Sequence, residues 1–207
     1  SNDNTFTIDN FKTAIQEPYR TGFINSIKIG LFSAAIAAFP GALAAYFIDT
    51  RGSSKLRRTI AVMSGVLANT GGVPLAFMFY AALGIQGYLT KFLKYLGWDL
   101  YSGTFSLGSF IGLLIVYLYF QLPLMVIVFS PAIVSLRREW SEAARNLGAN
   151  QVNYWIRIGI PLLFPSFIAS FLLLFASGFS AYATANALTV GNLPLTPLQI
   201  GGLLDGN

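Results

Sequence analysis

Four long stretches of this chain carry no Lys, Arg, Asp or Glu, and they constrain the fold more than any other feature. The first lies between Lys28 and Asp49, and the second runs from Thr59 to Tyr88. The third extends from about Phe105 to Ile133, and the last from Ile158 to Leu204. About twenty apolar residues suffice for a helix to cross the hydrocarbon core of a bilayer. In lipid the backbone must satisfy its own hydrogen bonds, which a helix does within one segment. Charged residues make up 10% of the chain and apolar ones 55%, against about a quarter charged in soluble domains. The expected fold is an all-α, polytopic membrane helix bundle.

The same composition removes several functions. There is no cysteine and no histidine, hence no disulfide, no thiolate chemistry, and neither the commonest general base nor the commonest metal ligand. None of the four span cores contains an acid. A membrane-embedded enzyme needs a nucleophile and a base in the bilayer, and no His, Cys or intramembrane acid is there to serve. A proton- or sodium-coupled antiporter would lack its usual buried carboxylate. No catalytic residue, metal site or cofactor is expected. The net charge of +5 bears on how the loops are placed across a membrane, and not on nucleic acid.

In chain order, residues 1–21 read as a polar extracytoplasmic lead-in, with Phe11 and Ile15 at helical spacing. The remaining 22–207 read as one transmembrane domain. The chain starts with Ser1 and both ends are polar, which suggests a piece of a longer subunit. In the first span, Pro40-Gly41 predicts a kink, and Ser33, Ala34, Ala37, Ala38, Gly41, Ala44 and Ala45 form a face of small residues for close packing. Lys28 reads as a Lys snorkelling to the interface. Asn69-Thr70-Gly71-Gly72 and Pro74 interrupt the second run. Such a break is tolerated where it faces protein or a water-filled cavity. Asn69 and Thr70 are therefore candidate contacts along a solute path, or mark a notch where another helix approaches the glycines. Tyr88, Tyr95, Trp98 and Tyr101, with Lys91 and Lys94, place the next connection at headgroup level. Tyr117, Tyr119, Gln121 and Pro123 form a polar cluster with a kink in the third span. Gln121 either bonds another helix or meets solute. A fourth span covers roughly 162–183, with Ser177, Ser180 and Tyr182 as further path candidates. The remaining chain is too long for one helix, and its end is expected either to fold partly back into the membrane or to begin a further segment.

The longest polar interruption, SLRREWSEAARNLGANQVNYWIRIGIP from Ser135 to Pro161, sits between two spans. Trp140, Ala143, Ala144 and Leu147 fall at i, i+3, i+4 and i+7, one face of a short helix. Glu142 is within reach of Arg138 or Arg145. Gly148 stands where a residue of positive φ would end that helix. Asn150 can cap a second helix, which Pro161 breaks or kinks. The loops after spans one and three carry Arg51, Lys55, Arg57, Arg58, Arg137, Arg138, Arg145 and Arg157. The opposite side carries Lys12, Arg20, Lys91 and Lys94. Eight against four puts the 135–161 loop in the cytoplasm by the positive-inside rule.

That loop carries a resemblance. Glu142-Ala143-Ala144, three residues, Gly148, nine residues, Ile158, one residue, then Ile160-Pro161 resembles the EAA loop of ABC importer permeases. Ile160 stands where the family has Leu. The resemblance implies a MetI-like permease core that works in a prokaryotic cell membrane. About four of its spans would then be visible here, with the first and last expected to fall outside residues 1–207. More loosely the chain resembles permeases for polyamines, ferric iron, sulfate or phosphonates. It also implies the partners: cytoplasmic nucleotide-binding ATPase subunits, a second permease copy or homologue, an extracytoplasmic solute-binding protein, and membrane lipid. Residues Arg138, Glu139, Trp140, Glu142, Ala143, Ala144, Leu147, Gly148, Ile158 and Pro161 would couple to the ATPase, with Arg137 on the rim. The chain has no G-x-x-x-x-G-K-[ST] phosphate cradle, so ATP would be hydrolysed in a partner. A passive channel, a secondary transporter subunit and an assembly subunit are the competing readings.

Overall fold

The computed structural model describes residues 19–103, 105–189 and 193–204. Most of the lead-in, 1–18, lies outside the described residues. Its last three positions already belong to the first helix. Nothing but helices and their connections occurs among the described residues: α1 (Tyr19–Arg51), α2 (Ser54–Asn69), α3 (Gly72–Leu83), α4 (Tyr88–Tyr95), α5 (Phe110–Val134), α6 (Arg138–Asn146), α7 (Gln151–Tyr154), α8 (Ile160–Ser180), α9 (Tyr182–Thr189) and α10 (Thr196–Leu204).

The bundle is built on α1, α5 and α8, which pack on one another along most of their lengths. The small residues of α1 permit this. Ser33, Ala34, Ala37, Ala38, Gly41 and Ala45 are all buried, and a Cβ placed on Gly41 would come within 2.6 Å of the Met125 side chain. In lipid, where no hydrophobic effect draws helices together, such close backbone approach supplies the packing energy. The apolar core has two layers. Near the α6 end, Ala34, Ala37, Met125, Phe129, Ile133 and Leu163 pack together. Toward the opposite end, Ile29, Leu75, Leu113, Tyr117, Leu188 and Leu195 form the second layer.

By length and hydropathy, α1, α5, the segment Gly72–Tyr95 and the segment Gln151–Ser180 are each long and apolar enough to cross a membrane. Gly72–Tyr95, however, includes a turn at Gly84–Gly87 and the amphipathic α4. Its α3 alone, at 12 residues, covers only about 18 Å at 1.5 Å per residue. The second crossing is therefore α2 and α3 end to end, with α2 packing on α5 and α3 on α9. The discontinuity expected at 69–72 is present, and Gly72 adopts φ +76°.

The prolines of the spans lie within continuous helices. Pro40 lies inside an unbroken α1, and Pro123 and Pro131 inside an unbroken α5. Pro161 does not end its helix either. The chain runs from α7 through a π-helical turn at Trp155–Gly159 directly into α8. In that turn the Ile160 N–H bonds the carbonyl of Trp155, five residues back. An α-helix would ask Pro161 for a hydrogen bond that it cannot donate, and the wider turn relieves the clash of its ring with the preceding carbonyls. The fourth helix ends at Ser180 and not near 183, with Ala181 between α8 and α9. The last segment does return to the bundle. The Thr196 N–H donates to Ser26 Oγ at 2.9 Å, and Asn25 Nδ2 donates to the Pro194 carbonyl at 3.1 Å.

Candidate functional site

The 135–161 loop forms a two-helix elbow. Glu139 lies in the first turn of α6 and Arg145 in its last, both favourable to the helix dipole. At its end, Gly148 N–H bonds the Arg145 carbonyl and Ala149 N–H bonds that of Ala144, each at 2.9 Å. These are the paired bonds of a Schellman cap, with Gly148 at φ +80° as its left-handed residue. A Cβ on Gly148 would meet nothing within 4 Å, so backbone conformation alone demands glycine there. Asn150 then caps α7 through its side-chain oxygen, which accepts from the Asn153 N–H at 2.8 Å.

The apolar face of α6 is divided. Ala144 is 7% exposed and turned into the chain, so it is not part of a free docking surface as the periodicity suggested. Trp140 at 38% and Leu147 at 87% are open, as is Ala143. Glu139, Glu142 and Arg137 are exposed around them. The side chain of Arg138 lies outside the described residues. Trp140 comes together with Ile158 and Pro161, and with Arg157 and Leu162, around an open depression of about 450 Å³. Positions up to 21 residues apart in the motif thus share one surface.

What fastens the elbow to the bundle is absent from the sequence reading. The Trp155 ring packs edge-on against Tyr46 of α1 at 5.1 Å and against the preceding residue, Tyr154, at 5.8 Å. Gly159 lies beneath it, and a Cβ there would come within 2.5 Å of the indole. The signal was available: a large residue and a glycine at i and i+4, on the face that also carries buried Tyr154.

The path candidates separate into two groups. Gln121 is fully buried. Its Nε2 donates to Ser33 Oγ of α1 at 3.0 Å and to the Leu174 carbonyl of α8 at 3.3 Å. Gly178 allows α8 to close over this amide, since a Cβ there would lie 2.6 Å from Nε2. Gln121 is thus a tie between three helices, with no surface for a solute. Asn69 and Thr70 bond the carbonyls of Gly65 and Val66, at 2.8 and 2.7 Å, and so finish their own helix. Ser180 and Tyr182, by contrast, share a concavity of about 510 Å³ with Phe179, Thr196, Pro197 and Ile200. Ser177 is half-buried, and its carbonyl accepts from Ser180 Oγ at 3.4 Å. Thr196, which the sequence did not single out, has a buried Oγ1 without a hydrogen-bond partner.

The two helix breaks lie side by side. The Gly72 N–H donates to Thr184 Oγ1 at 2.8 Å, and Tyr80 Oη to the Leu188 carbonyl at 2.9 Å. Tyr117, itself buried, donates to the Ala181 carbonyl at 3.1 Å. Side chains therefore take up backbone groups that the interrupted helices release, as a low-dielectric setting requires.

A bundle of interrupted helices, four of its segments long and apolar enough to cross a membrane, carries a polar two-helix elbow fixed to one end. Residues 37–203 match the family described as "Binding-protein-dependent transport system inner membrane component", and the chain belongs to that family. Among curated proteins it is similar to the spermidine/putrescine transport system permease protein PotB of Escherichia coli. The two are 29% identical over 168 residues, which is 81% of this chain and 60% of that protein. It is also similar to the glucose import system permease protein GlcU of Saccharolobus solfataricus, 28% identical over 178 residues, covering 86% of this chain and 58% of that one. The chain therefore spans about 60% of the length of these relatives. Among solved structures it superposes on a chain of a bacterial ABC transporter involved in the import of the acidic polysaccharide alginate. The TM-score is 0.72 at 17% identity, covering 99% of this chain and 75% of that one. This likeness shows the fold, an all-α membrane helix bundle shared with that chain.

Proposed function

We propose that this chain is the membrane-spanning permease subunit of an ATP-driven importer and that the elbow at 135–161 receives motion from a cytoplasmic ATPase subunit. The observation that carries the reading is mechanical continuity. Helix runs unbroken from Gln151 to Ser180, and Trp155 fixes its near end to α1. A push on Trp140, Ala143, Leu147 and the Ile158–Pro161 surface is thereby delivered to the break at Ala181, beside Ser180 and Tyr182. The aromatic anchor and its exposed rim have the composition of an interface hot spot. Ala144 and Gly148 shape the elbow, and Glu139 and Glu142 border it.

The partners in this reading are nucleotide-binding subunits, a second permease copy or homologue, and an extracytoplasmic solute-binding protein. The excess of Lys and Arg near the elbow favours its placement in the cytoplasm of a prokaryotic cell. The solute path runs past Ser177, Ser180, Tyr182 and Thr196, with the broken helices at Asn69–Thr70 on its flank. These groups are uncharged, and they leave the solute class open.

The test is co-purification of the full-length subunit with the ATPase, together with uptake and ATPase assays. Gly148→Asp meets no neighbouring atom but strains the left-handed cap between α6 and α7, so it disturbs the elbow and leaves the packing of the spans untouched. It and Glu142→Lys should abolish coupled uptake, and Trp140→Ala should weaken association roughly thirtyfold. Normal uptake and normal ATPase stimulation in all three would refute the reading.

A further inference from the structure

At the α6 end of the bundle, the close of α1, the start of α2 and the last third of α5 enclose a pocket of about 570 Å³. Asp49, Arg57 and Arg58 line it together with apolar residues that include Ile60, Val126 and Ile127. Its wall on α5 runs from Val126 to Val134, about 12 Å along the helix axis. The surrounding segment is strongly basic: Arg51, Lys55, Arg57 and Arg58 fall within eight residues, against Asp49 alone. Arg51 is engaged on the Phe47 ring. Arg57 donates its Nε–H to the Gly52 carbonyl at 3.3 Å, and its side chain is exposed. Asp49 contributes a second observation. Its Oδ2 is buried and has no hydrogen-bond donor.

A pocket with cations beside an apolar wall, at the end of membrane spans, suits an amphiphile with an anionic head. A soluble anion would have no use for the Val126–Ile127 wall, and a neutral lipid none for the arginines. We propose that this pocket binds phosphatidylglycerol from the leaflet at the α6 end. The phosphate pairs with Arg57 and Arg58, a glycerol hydroxyl supplies the donor that Asp49 lacks, and an acyl chain lies along α5. The charges agree: two arginines and one aspartate leave one net positive charge, opposite the single negative charge of this lipid. The site does not depend on the importer reading, because it uses neither the elbow nor the solute path.

The test is native mass spectrometry of the full-length subunit in its assembled complex, titrated with phosphatidylglycerol, phosphatidylcholine, phosphatidylethanolamine and glycerol phosphate. Wild type should retain phosphatidylglycerol in preference to the other three. R57Q/R58Q, which changes two exposed side chains, should weaken its binding by roughly tenfold to thirtyfold, and R57K/R58K should restore most of it. Ile127→Trp, which fills the apolar wall and spares both arginines, should weaken it as well. Unchanged binding in both R57Q/R58Q and Ile127→Trp would overturn the proposal. So would equal retention of phosphatidylcholine or phosphatidylethanolamine, competition by glycerol phosphate alone, or no bound lipid because another segment of the full-length chain fills the pocket.

Discussion

The two ends of α8 both depart from the ordinary helical ladder, and they do so in opposite ways. At the elbow end, the π-helical turn at Trp155–Gly159 widens the helix by one residue and the rod continues. At the far end the rod stops at Ala181, and its carbonyl is taken by a tyrosine from another helix. The first solution preserves stiffness beneath an anchored indole. The second exchanges a covalently local bond for one that can be remade, next to the concavity holding Ser180 and Tyr182. In the proposed reading, the first end would transmit displacement and the second would respond to it.

Mutations that stop α8 from closing on α5 should damage both ends and have the largest effect. Gly178→Leu drives a side chain into Gln121 Nε2 and Ser33 Oγ. Overpacking of this kind costs about 3 kcal/mol or more, seen as a lower unfolding temperature and poor recovery of the detergent-purified subunit. Trp155→Ala should affect the stiff end alone, costing about 2–3 kcal/mol for a partly buried indole. It should cut coupled uptake while leaving the Ser180–Tyr182 concavity able to accept labels. Equal loss at both ends would erase the distinction. Tyr117→Phe and Thr184→Val should act only at the interrupted end, by about 1 kcal/mol each, and their effects should not add, since Tyr117 holds Ala181 at the head of α9 and Thr184 of α9 holds Gly72. Strict additivity in a double-mutant cycle would contradict that shared role.

The smallest effect is expected outside the spans. Lys94 lies 3.0 Å from Asp99. Its hydrogen bond, then that of the Tyr101 N–H, holds the Asp99 carboxyl below the usual carboxylate range. A lowered folded value means that this contribution is present at neutral pH. It is lost as pH falls through the folded value, below the ordinary Asp range. Amide exchange in 94–101, compared with a D99N variant, should become indistinguishable only at that low pH. Exchange in α6 should not change with it.

Why one end of α8 was legible in the sequence and the other was not follows from the range of the interactions. The elbow is set by local chemistry: a Schellman glycine, an Asn cap and an apolar stripe all lie within a dozen residues. The break at 69–72 is likewise written in consecutive glycines and a nearby proline. Ala181 has neither signal. Its partner Tyr117 is 64 residues away, and Thr184 meets Gly72 across 112. Gln121 stood out as a polar residue, but only packing against Gly178 turns it from a path contact into a helix tie. Pro161 does not break its helix because the widened turn before it carries the chain directly on into α8.

The central claim is that the exposed face of α6 meets a cytoplasmic motor. The sequence contains no cysteine, so a single Leu147→Cys gives a clean label at an open position. In the assembled full-length complex, a short bifunctional thiol–amine reagent at that position should join the subunit to the nucleotide-binding ATPase, with a yield that changes on adding ATP. Joining only to an extracytoplasmic solute-binding protein, or labelling solely by a lipid-phase reagent, would contradict it.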